Sequence, residues 1–231
     1  MKSLPTSYTA ARKWGIILLL ALASLGAALL SMSFGSTQVP FSEILTALMG
    51  GETQAYNIVV YARLPHTLAA LLCGSALAVG GVIIQGVLGN PLAGPNIIGV
   101  NAGAGLGAVL CAALIPTSMT AVPVAAFLGA LGACMLVYTL ARRTGASRIT
   151  LVLAGVAISS MLSAAIDAVS ILFPEAALGA GSFMVGRLSG VTVAALKVPA
   201  LLSLLAGAGA FAMSYELDLL TLGDEVAQSL G

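Results

Sequence analysis

The sequence predicts an all-α fold, a polytopic transmembrane helical bundle. Three observations predict it. Hydrophobic residues make up 59% of the 231-residue chain and charged residues only 7%, against about 25% charged in a soluble domain. The stretch between Arg63 and Arg142 carries no formal charge. At about 1.5 Å per helical residue, it is several times longer than the roughly 30 Å hydrocarbon core. Clusters of helix breakers also divide the chain into apolar stretches of about the length one crossing needs. This composition excludes an ordinary cytosolic enzyme, a nucleic-acid binder and a disordered protein. The net charge of +1 points to no polyanionic partner.

The elements follow in order. Residues 14–33 are apolar enough to cross, between Lys13 and Glu43. Lys2, Arg12 and Lys13 ahead of this stretch also resemble a signal peptide, but the stretch is long for that role. Phe41, Ile44, Leu45, Leu48 and Met49 mark one apolar helical face, ended by Gly50-Gly51, which should lie on the outer membrane surface. The charge-free run breaks at Gly89-Asn90-Pro91-Leu92-Ala93-Gly94-Pro95-Asn96 and again from Pro116 to Pro123. This leaves spans at 66–88, 97–115 and 124–141. A span at 149–173 is interrupted only by Asp167, and the last covers 198–214. Between these two, residues 174–197 suggest short helices packed at the mouth of the bundle. Six spans are therefore expected, in one transmembrane domain covering 1–231.

Orientation follows from Lys and Arg near the helix ends. With the N-terminus inside, Lys2, Arg12, Lys13, Arg142, Arg143 and Arg148 are cytoplasmic, and Arg63, Arg187 and Lys197 are outside. Six spans then return the tail, 216–231, to the cytoplasm. Glu216, Asp218, Asp224 and Glu225 put half of the chain's acidic residues in that tail. Asp224 and Glu225 fall in the first turn of a short helix after Gly223, where the dipole favours anions. Thr221 and Asp224 fit a loose capping box, and Val226 and Leu230 share a face. The tail reads either as an interfacial segment or as a docking knob for a cytoplasmic protein.

Gly99, Gly103 and Gly107 form a smooth stripe that lets a neighbouring backbone approach closely. Residues 103–108 also match GxGxxA, but no strand precedes them, so dinucleotide binding is not supported. Asp167 is costly within a span; it lines a water-filled pathway or sits near the outer interface. His66, the only histidine, follows Arg63 by three residues at the outer start of the second span. The pair reads as interface anchors or as a docking point for an acidic group on an external partner. A lone His supports neither a metal site nor a hydrolytic triad. Leu222-Gly223-Asp224 lacks the first Gly of the intramembrane aspartyl protease motif. Cys73, Cys111 and Cys134 read as small buried hydrophobes.

Three stretches together resemble one family, the FecCD-type permeases of ATP-binding-cassette importers for iron–siderophore complexes, haem and cobalamin. The first is Arg63-Leu64-Pro65-His66-Thr67-Leu68 through Gly74. The second runs from Gln85-Gly86 through Asn90-Pro91-Leu92-Ala93-Gly94-Pro95 to Gly99-Val100-Asn101-Ala102-Gly103-Ala104. The third is Leu217 through Gly231, with Leu219, Leu222, Gly223, Asp224, Glu225, Ala227, Leu230 and Gly231 in the family's coupling pattern. Leu153-Ala154-Gly155-Val156-Ala157 and Met184-Val185-Gly186 resemble weaker family blocks.

The resemblance implies a type II importer permease of ten spans, about six of them present here, working as a homodimer in the cell membrane. It implies no enzymatic activity and no cofactor in this chain, with ATP and magnesium on a cytoplasmic ATPase partner. It places Arg63 and His66 where such permeases meet acidic residues of a substrate-binding protein, although His66 stands where the family usually has Arg. It makes Gly223–Gly231 the helix that docks into a cleft of the ATPase, with Leu219 and Leu222 among the coupling residues. Gln85, Asn90, Pro91, Gly99, Asn101, Gly103, Gly107 and Asp167 are expected along the pathway or in helix packing. The remaining readings are a secondary transporter or channel, which would need intramembrane carboxylates in related repeats, and a truncated, non-transporting membrane scaffold.

Overall fold

The structure is a computed structural model that describes residues 10–221, apart from 36, 52, 119 and 146. Among the described residues every regular element is helical. The helices are α1 (Ala10–Ser33), α2 (Phe41–Leu48), α3 (Tyr56–Ile58), α4 (Leu64–Leu88), α5 (Val100–Leu114), α6 (Ala121–Arg143), α7 (Arg148–Leu172), α8 (Pro174–Met184), α9 (Val193–Ala212) and α10 (Ser214–Thr221). A π turn, Val59–Arg63, joins α3 to α4, and a 3₁₀ turn, Pro95–Ile98, precedes α5.

Among the described residues five helical stretches are long and apolar enough to cross a membrane: Ala11–Ser33, Tyr56–Leu88, Ala121–Arg143, Arg148–Leu172 and Val193–Ala212. The predicted span 97–115 holds an apolar helix shorter than these five. Gly99 adopts φ +77°, in the left-handed region, where glycine carries no Cβ penalty, and it divides the segment into the 3₁₀ turn and the 15-residue α5. The predicted 198–214 span begins earlier, at Val193, because Thr192 starts the helix: its carbonyl and its hydroxyl both accept from the Ala195 N–H. Pro199 then lies inside α9.

Packing divides the chain into two compact units. The first holds the described residues up to Cys73 together with Leu188–Leu201; the second holds Gly74–Arg187 and the described residues from Leu202 on. In the first unit a small core gathers Met32, Val39, Ile44, Ala47, Ala55 and Val59. The apolar face expected at 41–49 supplies Ile44 and Ala47 to it. The π turn has a local cause. Pro65 has no N–H to give to the carbonyl four residues back, and its ring crowds that carbonyl. The Leu64 N–H reaches instead to Val59, five residues back.

In the second unit, α5 is the central strut, packed against α6, α7 and α8. Its contact with α6 is a seam of small residues. A Cβ added to Gly103 would stand 2.5 Å from the Ala133 Cβ and would also strike the Gly129 carbonyl; one on Gly107 would stand 2.8 Å from the Ala125 carbonyl carbon. The glycine stripe therefore works as a packing face, as the spacing predicts, but through Gly103 and Gly107. Gly99 lies before the helix and acts by its backbone conformation. A second close approach joins α7 to the 3₁₀ turn, where a Cβ on Gly155 would come within 2.9 Å of the Ile97 carbonyl carbon. Ala133, Val137, Ala154, Ile158 and Leu162 form one core around these contacts; Ala108, Val109, Ala126 and Ala180 form another. Of the cysteines, only Cys111 is fully buried.

Most large apolar side chains elsewhere are exposed, including Trp14, Leu18, Leu19, Phe127, Leu204 and Phe211. A lipid solvent removes the cost of that exposure, because hydrocarbon tails are as apolar as Leu. Gly107→Ala is expected to lower stability by about 1–3 kcal/mol through overpacking, seen as a lower Tm in detergent. Gly132→Ala, with nothing within 4 Å of its added Cβ, should leave Tm unchanged.

Candidate functional site

In the first unit, Arg63 ends the π turn and reaches across to the last turn of α1. Its Nη1 donates to the carbonyls of Met32 at 2.6 Å and Ser33 at 2.9 Å, and its Nη2 donates to the Thr37 carbonyl. The last carbonyls of a helix have no partner within it and carry its partial negative charge. Arg63 satisfies both needs, so its guanidinium closes α1 as well as standing at the surface. Thr67, one turn on from Arg63, is buried and exchanges a hydrogen bond with Ser31 at 3.1 Å. His66 is exposed. It lies beside Arg63 and Tyr61 in the wall of an open cavity of about 700 Å³, whose far side is formed by Leu188–Val191. The structure thus brings the two predicted docking residues together and uses one of them as a helix cap.

In the second unit, several predicted residues meet around the loop that follows α4. Gly89 has φ +60°, and its N–H returns to the Gly86 carbonyl at 3.2 Å. The Asn90 N–H returns to the Gln85 carbonyl at 3.1 Å. The Asn90 side chain accepts from the Leu92 N–H at 2.9 Å, a local turn that Asn favours. Pro91 sits on the exposed crest of that turn. Beyond the 3₁₀ turn, Asn101 on α5 donates its side-chain amide N–H to the Asn96 side-chain Oδ1. Gln85, Asn90, Asn96 and Asn101 are all exposed in an otherwise apolar stretch. They offer neutral donors and acceptors and no fixed charge.

Asp167 is exposed, five residues before the end of α7, and among the described residues no cation pairs with it. Its place near the helix end is the cheaper one for a carboxylate. Among the described residues no three His, Cys, Asp or Glu side chains gather as a metal site would require.

Of the tail, the structure describes Leu219, half-buried on α10. Leu222, Gly223, Asp224, Glu225, Ala227, Leu230 and Gly231 lie outside the described residues. Thr221 belongs to the last turn of α10, where its hydroxyl donates to the Asp218 carbonyl at 2.7 Å. The sequence reads this stretch as tail, and the capping box expected at Thr221 and Asp224 reaches outside the described residues.

Residues 18–231 match the FecCD transport family. The chain belongs to that family. This FecCD chain is 36% identical over 220 residues to the Fe(3+) dicitrate transport system permease protein FecD of Escherichia coli, covering 95% of this chain and 68% of that protein. It is 38% identical over 221 residues to the ferric enterobactin transport system permease protein FepD of the same organism, covering 94% and 65%. Among solved structures it resembles an inward-facing metal-chelate type ABC transporter, with a TM-score of 0.76 and 26% identity, covering 94% of this chain and 66% of that one. The FecCD chain thus spans about two thirds of the length of these relatives. Its relatives are transport permease subunits, and its five long apolar helices make it a multi-pass membrane protein.

One residue of this site escaped sequence reasoning. Arg148 counts in the sequence only as an inward-facing charge, yet its Nη2 donates to the Leu220 carbonyl at 2.7 Å. A signal was present: Arg148 opens α7 directly after the Ser147 cap, at the helix end where the dipole disfavours a cation. Replacing Arg63 by Gln should uncover the α1 carbonyls. A hydrogen bond to a charged group contributes about 1.5–3 kcal/mol, so Arg63→Gln is expected to lower Tm and speed proteolysis after Ser33, whereas exposed His66→Gln should change neither.

Proposed function

We propose that this chain is a permease subunit of an ATP-binding-cassette importer that carries a ferric chelate across the cell membrane by alternating access. The match of residues 18–231 to the FecCD transport family carries this reading. The two ferric-chelate permeases at 36% and 38% identity support the cargo class. Haem and cobalamin, the other cargoes implied by the resemblance, would pass the same neutral lining. The chain performs no bond chemistry. Its work is a difference in contacts between two states, and the uncharged amides around Asn90 and Asn101 suit a bulky chelate that must be released as readily as it is admitted.

In this reading both termini are cytoplasmic, the chain pairs with a second permease, and ATP and magnesium stay on the ATPase partner. Leu219 and the segment from Leu222 to Gly231 form the ATPase contact. A substrate-binding protein docks on the outer cavity beside His66 and Arg63. Arg63 has already committed three N–H contacts to α1, so exposed His66 is the better probe of that surface.

Two measurements test this. Leu222→Glu or Gly223→Arg should reduce the co-purified cognate ATPase at least about tenfold, the effect of about 1.4 kcal/mol. Equal capture by wild type and both variants would sink the docking role of the tail. His66→Glu should weaken capture of the binding protein at low salt, with the difference shrinking as salt rises. Unchanged affinity at low salt would count against docking there.

A further inference from the structure

We propose that Arg148 is a positioning residue that couples the root of the ATPase-facing segment to the Gly89 turn, so that movement of one moves the other. This rests on the permease reading above. Three elements meet at Arg148. Its own helix, α7, begins there, capped by Ser147, whose Oγ accepts from the Thr150 N–H at 3.1 Å. Its Nη2 donates to the Leu220 carbonyl in the last turn of α10. Its Nη1 lies where a Cβ on Gly89 would be, with Cζ only 3.3 Å from that point. The Gly86–Gly89 turn touches α10 directly as well, since a Cβ on Gly86 would stand 3.6 Å from the Thr221 Cγ2.

The chemistry favours a transmitting role. Leu217, Leu219 and Leu220 of α10 are half-buried and none of its residues is fully buried, so a directional charge-assisted hydrogen bond adds to a partial apolar contact. The cation is unfavourable at the start of α7, and the Leu220 carbonyl on α10 gives it an acceptor. The guanidinium is thereby biased toward α10, and its planar fork keeps a second edge against Gly89. Gly89 has the left-handed φ of +60° and no side chain, so any larger residue would displace the guanidinium. The turn that abuts Arg148 runs straight into Asn90 and Pro91 and, through the 3₁₀ turn, to Asn101. A pull on α10 would therefore reach the Asn90–Asn101 stretch through Arg148 as well as through the Gly86–Thr221 approach.

The test uses the complete importer in proteoliposomes, with its cognate ATPase and binding protein, and reads ferric-chelate uptake and ATP hydrolysis in the same vesicles. Arg148→Gln is expected to keep the ATPase bound and basal hydrolysis within about twofold, while uptake per ATP falls about tenfold, a 1.4 kcal/mol effect. Arg148→Lys keeps the charge but is a point donor that cannot serve both edges, so its uptake per ATP should also fall, by about threefold. Wild-type uptake per ATP in Arg148→Gln overturns the proposal. So does loss of the ATPase and of Tm together in both variants, which would make Arg148 a structural residue only. Should Arg148→Gln not assemble, the ratio in Arg148→Lys decides in the same way. If wild type itself captures no ATPase and takes up no chelate, the permease reading fails instead.

Discussion

The end of a helix leaves carbonyls with no partner inside it, and water, a side chain or the returning chain must satisfy them. This chain answers that constraint from within the protein at several places. The last carbonyls of α1 are closed by the Arg63 guanidinium. At α4 the chain folds back on itself through Gly89 and Asn90. Leu220, near the end of α10, receives Arg148. Arginine suits the first and last of these because its several donors, fixed in one plane, can reach more than one carbonyl and meet the negative end of a helix dipole. Two of the chain's few cations are thus spent on helix ends, and both then stand next to surfaces with a proposed function.

The second constraint is that helices in lipid gain little from burying apolar surface against one another, so they associate where backbones can approach closely. The α5–α6 seam shows it: Gly103, Gly107 and Gly129 occupy positions where any Cβ would meet backbone atoms. Gly155 does the same for α7 against the 3₁₀ turn. Large side chains are turned outward instead.

These two constraints explain which sequence readings carried through. The crossing helices were legible because each is a long uncharged stretch between breakers, and the glycine stripe because its period is that of a helix. The α2 face at Phe41–Leu48 was legible for the same reason. The helix within 97–115 starts at Val100, later than the sequence suggests, because hydropathy does not register a left-handed glycine. Gly99 looks like the first member of the stripe and is in fact the hinge before it. The start of α9 was misplaced because Lys197 reads as a boundary, although a lysine stem can run along a helix while its ammonium reaches outward.

Composition and periodicity determined the membrane solvent, the helical class and the approximate crossings, because those properties belong to contiguous runs of residues; the family pattern came from the resemblance of three motif stretches. The partners of Arg63 and Arg148 were decided only by tertiary structure. Met32 and Ser33 are some thirty residues from the first, and Leu220 some seventy from the second. In both pairs the acceptor is a main-chain carbonyl, which every residue possesses and no side-chain pattern announces. Only the folded path of the chain selects which of those carbonyls meets the guanidinium.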